Sequence, residues 1–397
     1  MAPLPGIRTD EVGAPAGAPG ASALRRRACL LAAALAAVTL GGCGIWSSRP
    51  KLPELPALAT PANVRVAWSM SLPGGGVGFQ PVLAGDSLWA AARDGTVVRV
   101  EPASGRVLWR AQAGQPLLAG VGSDGEVVVV AARDGSLIAL DGDGKPKWTV
   151  QTGAEVVTVP SVALGLVLVR TSDNRVAAFE AGTGKRRWTF QRQNPPLVLR
   201  QTGQIAMDAG NAYVGLPGGR LVALALDSGA LRWEAAVAMP RGSNEIERIA
   251  DVVGSPLISG REICAVTFQG RVGCFDLGSG RALWARDLSS AAGLDLDGRL
   301  LVVSDERGDV HAFARGGASV WRQDKLRQRA LSAPLLLARG VLLGDNTGLV
   351  HGLSRDDGAL DARVATDGSP IVAAPVRAGG LAVVQTSAGA LYALTVE

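Results

Sequence analysis

The stretch Asp134-Gly135-Ser136-Leu137-Ile138-Ala139-Leu140-Asp141, followed by Gly144 and Trp148, decides the fold, because variants of it return along the whole chain. Asp-Gly is a short-range hairpin signal: a tight two-residue turn needs positive φ at both central positions, and Asp-Gly tolerates that. Leu137, Ile138, Ala139 and Leu140 are apolar in succession rather than alternating, which suits a short strand buried on both faces. Gly144 then marks a second turn before Trp148. Laid out by turn glycine and closing tryptophan, the copies are Gly95 with Trp109, Gly135 with Trp148, Gly182 and Gly184 with Trp188, Gly219 with Trp233, Gly270 with Trp284, and Gly308 with Trp321. Successive tryptophans lie 39, 40, 45, 51 and 37 residues apart, the period of four-stranded propeller blades. A copy at 347–353 has lost its tryptophan, and one at 388–394 stops before reaching any. Val64-Arg65-Val66-Ala67-Trp68 is placed to supply the missing strand and to close the ring without an open edge. The expected fold is therefore all-β, an eight-bladed β-propeller of four-stranded antiparallel blades over residues 64–397, closed by an N-terminal strand.

Upstream, residues 1–23 are rich in Ala, Gly and Pro, have no periodicity, and are read as unstructured or as an over-long start-site assignment. Arg25-Arg26-Arg27 precedes an uncharged run from Ala28 to Gly42, the positive and apolar regions of a secretory signal. At 15 residues that run falls short of the roughly 20 a spanning helix needs. It ends in Leu40-Gly41-Gly42-Cys43, which resembles a bacterial lipobox. The resemblance implies that residues 1–42 are an extension and signal, and that Cys43 is acylated and becomes the mature N-terminus. Gly44 follows rather than an aspartate, so the same resemblance implies an outer-membrane address. Residues 43–63 carry Pro50, Pro53, Pro56 and Pro61 and read as a lipidated cysteine with a linker that holds the domain off the bilayer.

Charge argues against a nucleic-acid partner. Without residues 1–42 the chain has 36 basic against 33 acidic side chains, a net of +3. Its one dense basic stretch, Arg322 to Arg329, is interleaved with Gln323, Asp324 and Gln328 and lacks stacking aromatics. Cys264 and Cys274 flank a hairpin turn at Gln269-Gly270. A two-residue loop would turn them to opposite faces, whereas a three-residue loop from Phe268 to Gly270 would set them opposite each other. Both registers fit the sequence, so the pair is either a disulfide or two small core residues. The only histidines, His311 and His351, sit at the same place in their blades, where other blades have Val98, Ile138 or Val222. That reads as blade packing rather than metal ligation. No His-x-x-x-His or Cys-x-x-Cys pattern is present, Gly74 to Gly78 lacks the ending of a phosphate loop, and the turn aspartates lack the dense spacing of a calcium loop. Neither a catalytic residue, a metal nor a cofactor is expected.

The blade pattern resembles the quinoprotein-type propeller repeat, most clearly at Gly219-Arg220-Leu221-Val222-Ala223-Leu224 with Ser228-Gly229 and Trp233, and at Cys274-Phe275-Asp276 with Ser279-Gly280 and Trp284. One branch of that repeat family holds dehydrogenases that bind pyrroloquinoline quinone and typically carry an adjacent cysteine pair, which this chain lacks. From about residue 43 onward the chain is more similar to the other branch, the propeller lipoproteins of the outer-membrane β-barrel assembly machinery. Two segments that interrupt the repeat carry this likeness: Leu197-Val198-Leu199-Arg200, and Met239 to Asp251 with its Glu245-Ile246-Glu247-Arg248. The resemblance implies a scaffold that binds the periplasmic POTRA domains of the barrel-forming subunit, BamA, through Leu197, Leu199, Arg200, Glu245, Arg248 and Asp251, and so assists insertion of β-barrel proteins. Where the family often has a second acid, this chain has Val253. Read without the resemblance, Glu245, Glu247 and Arg248 are a solvated loop with local ion pairs. A quinone-dependent dehydrogenase and a periplasmic peptidoglycan or polysaccharide binder are the competing classes. The second needs stacking aromatics, and the chain has only two tyrosines, with nearly all its tryptophans used in the repeat.

Overall fold

In the computed structural model, residues 52–58, 62–193 and 195–396 are described, and Cys43 with its lipobox lies outside them. The described residues form 32 strands in eight four-stranded antiparallel sheets. The first seven blades follow chain order, running over residues 82–112, 117–151, 161–190, 206–236, 252–287, 293–323 and 335–365. The eighth is closed from both ends of the domain: Val64–Ser71 pairs antiparallel with Ala390–Val396, from Val64 opposite Val396 to Ser71 opposite Ala390. This is the ring closure that the unfinished last repeat implied.

Because side chains on a strand alternate faces, each blade serves two cores. In the second blade Val127, Val129, Ala131, Leu137 and Ala139 pack against Val162, Val167 and Phe179 of the third. Their neighbours Val128, Val130, Ile138 and Leu140 pack against Trp89, Ala91 and Val97 of the first. Consecutive apolar residues are thus required in the middle strands, and Val127–Ala132 is buried throughout. The outermost strand, with one face in solvent, alternates instead, as in Pro146–Gln151.

The conserved geometry of turn glycine and tryptophan works between blades rather than within one. Trp109 Nε1 donates to Gly142 O at 2.9 Å, Trp148 to Ala181 O at 2.8 Å and Trp188 to Leu226 O at 2.9 Å, each acceptor lying in the next blade. The indole rests on that blade's turn glycine: a Cβ on Gly144 would stand 2.9 Å from the Trp109 ring, and one on Gly184 2.7 Å from Trp148. Both glycines also have positive φ, so any side chain there meets strain and a clash together. Trp68 of the closing strand makes the same contact, donating to Pro102 O at 2.8 Å, and so completes the repeat that the last blade lacked.

Three expectations change. The Asp-Gly hairpin is not a two-residue turn. Gly135 N donates to Ala132 O, only Gly135 has positive φ, and Arg133-Asp134-Gly135 forms a three-residue loop between Ala132 and Ser136. Asp134 earns its place by accepting from Ser136 N at 2.9 Å, the local side-chain bond that favours Asp in turns. The second change is at the linker. Pro53 onward belongs to the compact unit, since Leu55 packs against the core between blades six and seven. Arg329 Nη2 donates to Pro53 O at 3.0 Å and Arg363 Nη2 to Pro56 O at 2.9 Å. This strap lies beside the blade that has lost its tryptophan, where Ala362 stands opposite Gly352 in the tryptophan's place. The third is a choice between the alternatives at the cysteines. The loop is Phe268 to Gly270, Cys264 pairs with Cys274, and the two are joined in a disulfide.

Candidate functional site

Two long inter-blade connections break the repeat on one face of the ring, and they are fastened to each other. The first runs from blade three to blade four. Leu197 and Val198 form its tip, 44% and 38% exposed, followed by half-buried Leu199 and exposed Arg200. From there on the segment is tied down. Leu199 N donates to Asp251 Oδ2 at 2.6 Å, Arg170 Nη2 donates to Gln201 O at 2.9 Å, and Gln204 N donates to Ser255 Oγ at 2.9 Å. A Cβ on Gly203 would stand 2.0 Å from Gly254 O, so backbone meets backbone there.

Asp251, expected among the partner-binding residues, is turned inward. It is 2% exposed, and its second oxygen accepts from Gly218 N at 2.9 Å. One carboxylate therefore joins the first connection, the hairpin turn of blade four and the end of the second connection. Below it lies Arg170, 3% exposed, which also donates to Gly215 O at 3.3 Å. Burial pulls the Arg170 guanidinium down to about 10, with the charge of Asp251 opposing that shift. Val253, at the expected second acidic position, is 1% exposed and packs in the core between blades five and six.

The second connection, Met239 to Asp251, is ordered by its own side chains. Asn244 Oδ1 accepts from Glu247 N at 3.0 Å while Glu247 Oε2 reaches back to Ser243 N at 2.7 Å, a capping arrangement of the kind that starts helical turns. Those bonds from Ser243 hold the Glu247 carboxyl below its usual range. Arg248 Nε donates to Gly242 O at 3.1 Å, which makes it a loop brace. Glu245 is exposed. The sequence reading missed Met239 and Ile246, which are 65% and 66% exposed on the second connection. Their lack of any strand pattern was the available signal. Pro195 and Pro240, one from each connection, line a common groove of about 370 Å³ with Leu216 and Pro217.

Arg200 is paired in the free protein, donating to both Glu155 oxygens at 3.0 and 3.3 Å. Elsewhere on this face His311 bonds Asp305 at 3.0 Å, and His351, fully buried, bonds Asp345 at 3.0 Å. Burial would raise the Asp345 carboxyl, but His351, Thr347 and the Leu349 N–H outweigh it and hold it far below the usual range. Asp305, Asp309 and His311 come close enough to share an ion. However, both Arg322 and Arg327 already bond Asp309, so the donor set is neutralised by guanidinium groups. These pairs act as braces for their hairpins.

The chain as a whole is similar to known proteins. A family model described as outer membrane protein assembly factor BamB matches residues 93–323 and 306–397. The outer membrane protein assembly factor BamB of Bordetella pertussis is 44% identical over 360 residues, covering 89% of this chain and 93% of that protein. That of Burkholderia pseudomallei is 42% identical over 374 residues, covering 93% and 98%. The crystal structure of BamB from Moraxella catarrhalis superposes with a TM-score of 0.77 at 26% identity, covering 84% of this chain and 99% of that one. The chain belongs to the BamB family of outer membrane protein assembly factors.

Proposed function

We propose that this protein is a lipid-anchored scaffold on the periplasmic side of the outer membrane. In this reading it docks the POTRA domains of the barrel-forming subunit, BamA, and takes part in outer-membrane protein assembly without chemistry of its own. The observation that carries the reading is the exposed Leu197-Val198 tip on an otherwise fastened segment. Exposed apolar side chains on a preorganised backbone bind a partner without a large ordering cost. Leu199 and Arg200 follow the tip, and Arg200 offers a planar fork that can exchange Glu155 for a carboxylate of the partner. Met239 and Ile246 offer further exposed apolar side chains on the second connection. Asp251 serves from beneath as a positioning residue, and Glu245 stays available at the rim.

Leu199→Ala with Arg200→Ala is expected to weaken binding to the purified POTRA domains at least tenfold, because interface energy concentrates in a few anchors. The melting temperature should hardly move. Undiminished binding by this variant removes the docking reading; lost binding with a collapsed melt assigns the leucine to the core. The anchor has its own check. Cys43→Ser should end incorporation of radiolabelled palmitate and move the protein from the membrane to the soluble fraction, and persistent label would refute lipidation at that residue.

A further inference from the structure

We propose that the docking face continues across blades one and two as a guanidinium-lined pocket that takes an acidic segment of the same protein partner, an inference that rests on the docking reading above. The sequence sets an arginine immediately before Asp-Gly in two successive blades, Arg93-Asp94-Gly95 and Arg133-Asp134-Gly135. In the three-residue turn the two charges part company. Asp94 accepts from Thr96 N at 2.9 Å and Asp134 from Ser136 N at 2.9 Å, so both carboxylates fold back on their own hairpins. The arginines are left to line a pocket of about 410 Å³, and Arg200 joins them from the connection between blades three and four.

Among the described residues no carboxylate lines this pocket. Phe79 and Leu117, both buried, give it an apolar wall, and Val77, 57% exposed, stands at its lip. Arg93 uses one N–H on Gly75 O at 3.1 Å, and Arg200 is turned to Glu155. No hydrogen bond or ion pair holds the Arg133 guanidinium among the described residues. Arg93 and Arg133 thus bring like charges to one apolar wall without a carboxylate partner, and a carboxylate placed between them relieves their repulsion while filling the planar forks, with Arg200 free to exchange Glu155 for it. The matching ligand is an Asp or Glu with an apolar neighbour, presented on a turn or strand end. Arg200 is shared with the Leu197–Arg200 surface, so one partner domain reaches both. The pocket is a concave recess rather than a broad basic plane, which favours a protein segment over a lipid surface.

The test compares Arg93→Glu with Arg133→Glu, in the full chain, against the parent protein for binding to the purified POTRA domains at several salt concentrations. Expected are an affinity at least tenfold weaker and a shallower salt dependence, because rim charges act on encounter and are screened by salt. Arg93→Lys with Arg133→Lys should restore the salt dependence. Arg133→Gln, which removes charge while keeping size, should weaken binding in the same direction and serves if the reversal variant fails to fold. Parent-like affinity in the reversal and Arg133→Gln variants, alongside a defective Leu199→Ala, Arg200→Ala variant, overturns the pocket and leaves the docking reading standing. Parent-like affinity in all of them removes both. Vesicles of phosphatidylglycerol form the last arm: reversal that abolishes vesicle binding but spares the POTRA domains assigns the arginines to the membrane and refutes the inference.

Discussion

Deletion of Val64–Ser71 is expected to cost more than about 5 kcal/mol, the scale of a domain's whole stability, whereas deletion of Pro53–Leu58 is expected to cost about 1–2 kcal/mol. The closing strand makes seven residue pairs with Ala390–Val396. Its Trp68 and Met70 pack against a core shared by Leu88, Ala90 and Val98 of blade one with Val383, Leu391 and Ala393 of blade eight. Removing it strips an edge from the last blade and lifts the indole from Gly105, where a Cβ would stand 2.6 Å from the ring. A ring with one open junction exposes two blade faces at once. The strap contributes one half-buried leucine and two carbonyl acceptors, and water replaces the acceptors. Urea unfolding of both truncations gives the answer. If their midpoints coincide, closure does not reside in Val64–Ser71.

The sequence made the blades legible because their cause is local and repeated. Apolar runs such as Leu137 to Leu140 follow from two-sided burial, and the glycine and tryptophan of each repeat mark positions with almost no chemical freedom. What stayed hidden depends on contacts far apart in the chain. Gly144 and Trp148 lie in one repeat, so they read as partners, yet Gly144 packs under Trp109 and Trp148 under the next blade. Counting residues could not choose the loop at Phe268 to Gly270, because both registers keep a plausible face for the cysteines. The strap was misread for a similar reason. Proline content reads Pro53 to Pro56 as part of a linker, but the arginines that hold it, Arg329 and Arg363, arrive from 276 and 307 residues away. At the candidate site, Leu197 and Arg200 were legible as interruptions of the repeat. Asp251 looked like a surface acid because nothing in its neighbourhood foretells that Leu199 N and Gly218 N converge on it.

Asp251→Asn is expected to lower stability by about 2–4 kcal/mol and to weaken docking of the POTRA domains as well, and Arg170→Met is expected to separate those two effects. The carboxylate accepts from two partly buried backbone N–H groups at 2.6 and 2.9 Å. An amide offers one oxygen, so one donor is left facing an NH₂ group, at a cost of about 1–3 kcal/mol. Removing the charge also leaves Arg170 buried without its opposite, which adds to the loss. Arg170 has the reverse balance. Burial depresses its folded pKa to about 10 from 12.5, and at neutral pH it is protonated both folded and unfolded. The desolvation cost is therefore fully present there, on the order of 3 kcal/mol, and fades only as pH rises through 10 toward 12.5. Methionine fills much of the stem's volume without that cost, and Asp251 keeps its two N–H donors, which together offset the hydrogen bonds lost to Gln201 O and Gly215 O, so the melt should shift little. The Gln201 backbone would nevertheless lose its anchor two residues from Leu199, and the tip would no longer be held in one position. The variant should thus bind the POTRA domains more weakly at nearly unchanged stability, with raised amide hydrogen exchange in residues 197–204. Full binding by Arg170→Met, or by a folded Asp251→Asn, would mean that the backbone position of Leu197–Arg200 does not matter for docking.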